Sequence, residues 1–295
     1  MKLTNIIGKE YKPIKRKRFF EDKKPSSTYP ILVEKYQLWF KECSETQKRN
    51  VEKLGKYHIG TMVNEKYDIA KKILEDITSQ CTPEDISQLS ETNVPFDYCE
   101  QFTESGLFFS ALINMHYNLH KDDSTQILYN VNFEKHHQVL YGIDGPTLSG
   151  IGYYLNGATI NIQGNVGDFL GYHMSSGKII VIGNANDAVG AYMSGGLIHI
   201  IGDGKDYVGF QMNEGEIIIE KNVGEHLGQK MFGGKIMING DSKRYIGQYM
   251  KGGEMYIEGT LKKKGFTHGA QKGTIFHKGK KVFYDGKNIF LERKK

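Results

Sequence analysis

Six glycines, Gly152, Gly171, Gly190, Gly209, Gly228 and Gly247, stand nineteen residues apart without an insertion. Six positions after each lies a second column, Ala158, Gly177, Gly196, Gly215, Gly234 and Gly253. Six further on comes a third, Gly164, Gly183, Gly202, Lys221, Gly240 and Gly259. Three residues past the first glycine the chain reads Leu155, Met174, Met193, Met212, Met231 and Met250. A fixed period of this length marks a repeat architecture, in which no unit buries its own apolar stripe and stacked units bury a continuous one.

Between the second and third columns apolar residues alternate with a period of two: Ile160/Ile162, Ile179/Val181, Ile198/Ile200, Ile217/Ile219, Ile236/Ile238 and Met255/Ile257. That is a short strand with one buried face. An apolar residue also precedes the first glycine at Leu170, Val189, Val208, Leu227 and Ile246. The glycines divide these segments where a positive φ or close packing excludes a Cβ. One turn per repeat puts equivalent positions in ladders about 4.8 Å apart, so six turns rise about 30 Å. The expected fold is mainly β, a parallel β-helix of nineteen-residue turns. Tyr141, Ile143 and Gly145 fit a degenerate earlier turn, and residues 273–279 a later one after a one-residue insertion, for about eight turns in all.

Glycine and charge are both uneven. The first hundred residues hold only Gly8, Gly55 and Gly60 of the 35 glycines. Residues 1–24 carry a net +6 and residues 261–295 a net +9, so the stretch between is strongly acidic within an overall +5. The chain divides into a basic arm (1–28), an α-helical domain (29–125), the β-helix (126–280) and a basic cap (281–295). In that cap, residues 281–284 and 288–291 read as short strands. Within 29–120, Ile31, Leu32, Tyr36, Trp39 and Phe40 lie near helical spacing, and residues 67–77 are amphipathic. Thr82-Pro83-Glu84-Asp85 is a helix start, and a further helix is expected over about 105–118. These helices are expected to cover the first turn of the solenoid, whose ends would otherwise expose unpaired strand edges.

No apolar run reaches the roughly 18 residues of a membrane span, and no secretory leader opens the chain. Cys43, Cys81 and Cys99 show no CxxC spacing, which excludes a zinc or iron–sulfur motif and a disulfide scaffold. A cytoplasmic location is expected. Lys15, Arg16, Lys17 and Arg18 are chemically suited to nucleic acid or another anionic surface, but no nucleic-acid-binding motif accompanies them. A solubilising or docking arm is the simpler expectation. His116 and His120, four apart on one helix face, have the spacing of two metal ligands, without the glutamate of HExxH. His136 lies near the domain boundary, and Cys99 with any of these histidines would make a nucleophile–base pair. For each of them the plain alternative is a satisfied structural or surface side chain. The column Asp168, Asp187, Asp206, Glu225 is suited to a cation or a basic partner, with a solvated turn as the alternative. Arg244, next in that column, favours charge pairing. Asn165, Asn184, Asp203, Asn222 and Asp241 are turn formers. No GxxxxGK[ST] phosphate loop is present.

The pattern GxxMxGGxIxIxGxxxxxxG, clearest over residues 190–202, resembles the GXGXG domain. That domain is found at the C-terminal end of the large chain of glutamate synthase and in the β-helical chain of formylmethanofuran dehydrogenase. The regular spacing and Met column are closer to the formylmethanofuran dehydrogenase version. The resemblance covers about residues 139–280. It implies a right-handed β-helix that carries no catalytic residues and binds no cofactor itself. In that family the domain holds partner subunits or domains around a molybdenum, tungsten, zinc or flavin site elsewhere. The chain departs from the family in beginning Met1-Lys2, without a nucleophilic N-terminal cysteine. It has no room for a flavin barrel, and residues 1–125 match neither enzyme.

Three functions follow as expectations. The first is a non-catalytic scaffold within a multi-subunit, oxidoreductase-type complex. The second is a free-standing protein-interaction module using the helical domain and basic arms. The third is an enzyme with a site at the domain junction, built from Cys99, His116, His120 or His136.

Overall fold

Local chemistry sets the helices that precede the repeat. The computed structural model describes residues 27–54, 59–91, 106–121, 127–132, 137–140, 143–146 and 149–289. Four helices come first: α1 (Tyr29–Leu54), α2 (Ile59–Leu74), α3 (Pro83–Glu91) and α4 (Gly106–His120). Thr82 caps α3 as its sequence implies. Its Oγ1 accepts the Asp85 N–H at 3.2 Å, and Asp85 Oδ2 accepts the Thr82 N–H at 2.8 Å. Trp39, the sole tryptophan, is fully buried and donates Nε1–H to the Lys66 carbonyl at 2.9 Å.

Strands follow in chain order: β1 (Leu128–Asn132), a hairpin of β2 (His137–Leu140) and β3 (Ile143–Pro146), then β4 (Asn156–Gln163), β5 (Ser176–Ile182), β6 (Ser194–Ile200), β7 (Glu214–Ile219), β8 (Lys235–Ile238), β9 (Lys251–Ile257), β10 (Lys272–His277) and β11 (Lys280–Tyr284). Nine of them form one sheet, in the order β1-β4-β5-β6-β7-β8-β9-β10-β11. All pairs in it are parallel except β10–β11. From β4 to β9 the apolar centre of each strand pairs residues nineteen apart, as in Ile179↔Ile198 and Ile198↔Ile217, with a one-residue shift at the starts of the β4–β5 and β6–β7 pairs. This is the parallel β-solenoid that the repeat implies, preceded by a small helical region.

One end differs from expectation. The rung below β4 is β1, with Tyr129↔Ile160 and Val131↔Ile162 in register, and the offset there is 31 residues instead of 19. Ile143 and Gly145 lie in the separate β2–β3 hairpin, and Tyr141 lies outside the described residues. The physical reason is burial. Tyr129 and Val131 are inaccessible and extend the inward Ile160 and Ile162 ladders, so the chain spends the extra residues on an excursion. The other end follows expectation: Ile275 pairs with Met255, a single-residue insertion. There β11 folds back antiparallel and carries Lys280 and Lys281, the kind of charge that blunts an open sheet edge. Of the expected strand over residues 288–291, Asn288 is not in a strand and residues 290–291 lie outside the described residues; Lys287 bridges back to Tyr284.

Two devices hold successive turns in register. From Gly171 to Gly247 the amide of the first-column glycine donates to a carbonyl one turn below, as in Gly171 to Ile151, Gly190 to Leu170 and Gly209 to Val189, each at 2.8 Å. The Met column is buried throughout, and its methyls lie over the next turn's second-column glycines. A Cβ on Gly196 would meet Met174 Cε at 2.5 Å, and one on Gly215 would meet Met193 Cε at 2.7 Å. Polar side chains of α4 close the first turn. Ser110 Oγ donates to the Gly150 carbonyl at 2.9 Å, and Asn114 Nδ2 to the Tyr153 carbonyl at 3.0 Å. Helices and solenoid share one apolar core.

These contacts separate two glycine substitutions. Gly209 has φ +68°, and an added Cβ meets only the end of Ile236, so Gly209→Ala should cost about 1–2 kcal/mol. Gly177 has φ +96°, and its Cβ would drive into the Ala158 carbonyl oxygen. Gly177→Ala should therefore cost more than about 3 kcal/mol. Urea midpoints at unchanged m-value would show the order.

Candidate functional site

The junction between helices and solenoid holds the histidine pair. His116 and His120 stack with ring centroids 4.2 Å apart, so the helical spacing does bring them together. Their nitrogens, however, turn to other partners. His116 is buried, with Nε2 3.0 Å from the Cys81 carbonyl and Nδ1 2.7 Å from the Tyr129 hydroxyl. A carbonyl only accepts, so Nε2 carries the proton and Nδ1 accepts from the Tyr129 O–H. His120 Nδ1–H donates to the His116 carbonyl at 2.9 Å. The pair does not aim its ring nitrogens at a common point. Among the described residues no group of three or more His, Cys, Asp or Glu side chains is placed to hold a metal. Cys99 and His136 lie outside the described residues, as do Lys15, Arg16, Lys17 and Arg18. Cys81, whose carbonyl faces His116, donates its thiol to the Ile77 carbonyl at 3.3 Å. Burial pushes that thiol up to about 12, which keeps it a protonated, poor nucleophile at neutral pH.

The acidic and amide columns have a structural role that the spacing alone did not reveal. Asp168 Oδ1 accepts the Asp187 N–H at 3.1 Å, Asp187 Oδ1 the Asp206 N–H at 3.0 Å, and Asp206 Oδ1 the Glu225 N–H at 2.7 Å. The column ends in the expected ion pair of Arg244 with Glu225. In parallel, Asn165, Asn184, Asp203 and Asn222 each accept the amide one turn above at 2.8 Å. Each carboxylate or amide oxygen thus pairs an N–H that no strand partner reaches.

On the sheet's outer side, the column Ile180, His199, Ile218, Met237 is almost fully buried, although it points away from the core. His199 Nε2 and Glu220 Oε1 are 2.8 Å apart within it.

The turn edge is aromatic. Tyr153 and Tyr172 stack at 5.4 Å, and the rings of Tyr207, His226 and Tyr245 stack in sequence at 4.6 and 4.9 Å. Tyr154, Tyr207, Phe232 and Tyr249 are each about two-fifths exposed. A cavity of about 570 Å³ opens on this edge, walled by Phe169, Tyr172, Tyr207 and Phe210, with Asp168 and Asp187 in its lining. Burial holds the Asp168 carboxyl above its ordinary range, and the neighbouring Asp187 charge adds to the effect, against the Asp187 N–H, Lys205 and the Asn186 side chain.

Sequence reasoning missed this edge because its rings are spread over several columns. The backbone there adds a second obstacle. Phe169, Ala188, Tyr207, His226 and Tyr245 all sit at φ between 60° and 65°. Left-handed backbone in non-glycine residues has no compositional signature.

The buried imidazole makes stability depend on pH. Burial holds His116 below its usual 6.5, so the unfolded chain binds the proton first as pH falls. Stability is full above about 6.5 and declines below it. His116→Gln should flatten that acid limb, read as urea midpoints between about pH 7.5 and 5.5.

No protein-family model matches the chain and no curated protein matches it, so the reading of its function rests on the solenoid and its turn edge.

Proposed function

We propose that the chain is a non-catalytic β-helical scaffold that binds protein subunits of a larger complex. The observation that carries this reading is the turn edge. Partly exposed aromatic rings, Tyr154, Tyr207, Phe232 and Tyr249, come from four different turns of the solenoid. Aromatic side chains are enriched among the anchors of protein interfaces, and a stacked solenoid holds them on a rigid, extended surface. The finer reading, by resemblance to the GXGXG domain, is an oxidoreductase assembly of the formylmethanofuran dehydrogenase or glutamate synthase kind. Any molybdenum, tungsten, zinc or flavin would then sit in partner subunits.

The alternatives draw less support. For an enzyme at the domain junction, His116 offers little, since its two nitrogens are already engaged, and Cys99 and His136 lie outside the described residues. A free-standing module would work through the helical domain and the basic arms; within that domain α4 turns Ser110 and Asn114 onto the first turn of the solenoid, and Lys15, Arg16, Lys17 and Arg18 lie outside the described residues.

The protein isolated under mild conditions from its own cells is expected to appear in native mass spectrometry with stoichiometric partner subunits. The double variant Phe232→Ser/Tyr249→Ser should fold normally and appear without them. A lone wild-type monomer would remove the scaffold reading.

A further inference from the structure

Five rings on the turn edge form a U around the turn that contains Gly190. Phe169, Tyr172, Tyr192, Phe210 and Tyr207 follow one another with centroids 5.6, 5.3, 5.6 and 6.1 Å apart. Each ring is steeply inclined to the next, at 89°, 63°, 79° and 87°. Phe169 and Tyr207 stand in one column two turns apart, with φ of 62° and 60°, and two turns rise only about 9.6 Å. Four such steps laid straight would span more than twice that rise, so the path bends back on itself. Tyr172, Tyr192 and Phe210 form its base, and Phe169 and Tyr207 its two arms.

Between the arms the column holds Ala188, at the same φ of 62°, so the backbone is unchanged and only a ring is missing. The rings of the U line the cavity of about 570 Å³ on the turn edge, together with Ala188 and Ala191. A point midway between the arms lies about 4.8 Å from each, inside the roughly 6 Å over which a ring face attracts a cation. One face of Tyr207 is covered by His226, parallel to it at 4.6 Å one turn above, and the other face is turned to the gap.

Shape and charge select the occupant. Rings inclined to one another on three sides surround a rounded group, whereas a flat one would meet only the two arms. Asp168 and Asp187 stand in the same lining, and among the described residues that line the cavity none is a lysine or arginine. Each carboxylate spends Oδ1 on the amide one turn above. The Asn186 side chain also bonds Asp168, and Lys205 offsets part of its charge. With Asp187 the edge remains anionic, so the pair acts on an occupant through charge and needs no further hydrogen bond. An unsubstituted ammonium is strongly hydrated and would exchange its water for rings that return few hydrogen bonds. A methylated ammonium loses less and sets apolar methyls against the ring faces.

We propose that the U of rings around Ala188 binds a trimethylammonium cation of the choline kind, one without an anionic group beside it. A neighbouring phosphate would face Asp168 and Asp187 and be repelled. Burial holds the Asp168 carboxyl above its ordinary range, and a cation seated nearby stabilises its charged form. The inference does not depend on the scaffold reading, and the rings used to test that reading, Phe232 and Tyr249, do not line the cavity.

Calorimetric titration of the full chain tests it with four probes: choline, its neutral isostere 3,3-dimethylbutanol, the flat cation methylguanidinium, and phosphocholine. Choline should bind with a Kd below about 1 mM, and each of the other three at least about tenfold more weakly. Ala188→Phe puts between the arms the side chain that Phe169 already carries at the same φ, and should lower choline affinity at least about tenfold. Tyr207→Leu keeps an apolar side chain but removes one arm, should lower choline affinity at least about fivefold, and serves if Ala188→Phe does not fold. Asp187→Asn keeps an Oδ1 for the Asp206 amide and should weaken choline by about fivefold through the lost charge. The inference is overturned if wild type does not bind choline, or if any of the other three probes binds as tightly. Unchanged choline binding by any of these variants in folded form overturns it too.

Discussion

Everything in the solenoid depends on the contact between one turn's methionine and the next turn's glycine. The Met174, Met193, Met212 and Met231 methyls rest where a Cβ on Gly196, Gly215, Gly234 and Gly253 would stand. A flexible thioether fills the irregular space between rungs, and the glycine lets the rungs close to hydrogen-bonding distance. The 2.8 Å bonds from the first-column glycine amides can then form from Gly171 to Gly247. Either column without the other would leave a void or a clash. That is why the two repeat together and why the period tolerates no insertion between β4 and β9.

The polar ladders follow from the same constraint. A chain that turns a corner every few residues strands backbone amides away from any strand partner, and a buried unpaired amide is costly. The Asp168–Asp187–Asp206 and Asn165–Asn184–Asp203–Asn222 columns supply acceptors from one turn to the next. What resembles a row of binding carboxylates is first an internal hydrogen-bond system. Beside Ala188 and Ala191, Asp168 and Asp187 also line the cavity on the turn edge.

Most of the solenoid was legible because periodicity is a property of sequence. The alternating isoleucines, the glycine columns, the single-residue insertion before β10 and the capping role of the helices could all be read from spacing. The first rung was not. Tyr129-Asn130-Val131 carries no glycine signature, and it pairs with β4 only because α3 and α4 hold it there; the Asn132 amide, for example, donates to Ser90 Oγ at 2.8 Å. The segment around Ile143 and Gly145 matched the repeat by composition yet formed a hairpin, because register is decided by which strand fills the next rung. The histidine pair shows the same limit. Spacing brought His116 and His120 face to face, while the Cys81 carbonyl and the Tyr129 hydroxyl, distant in sequence, determined where the nitrogens of His116 point.

The sequence by itself determined a nineteen-residue parallel coil with a methionine and isoleucine core, because a stacked repeat turns each column into a line of identical contacts. Only the tertiary structure decided which columns face one another across a turn. The residues two before and one after each first glycine are separate columns in the sequence. Left-handed backbone at the first of them brings the two to one edge. There Ala188 and Ala191 line one cavity, with the Tyr192 ring packed between Tyr172 and Phe210. A one-dimensional pattern records what repeats, whereas a site arises where neighbouring columns fail to repeat in the same turn.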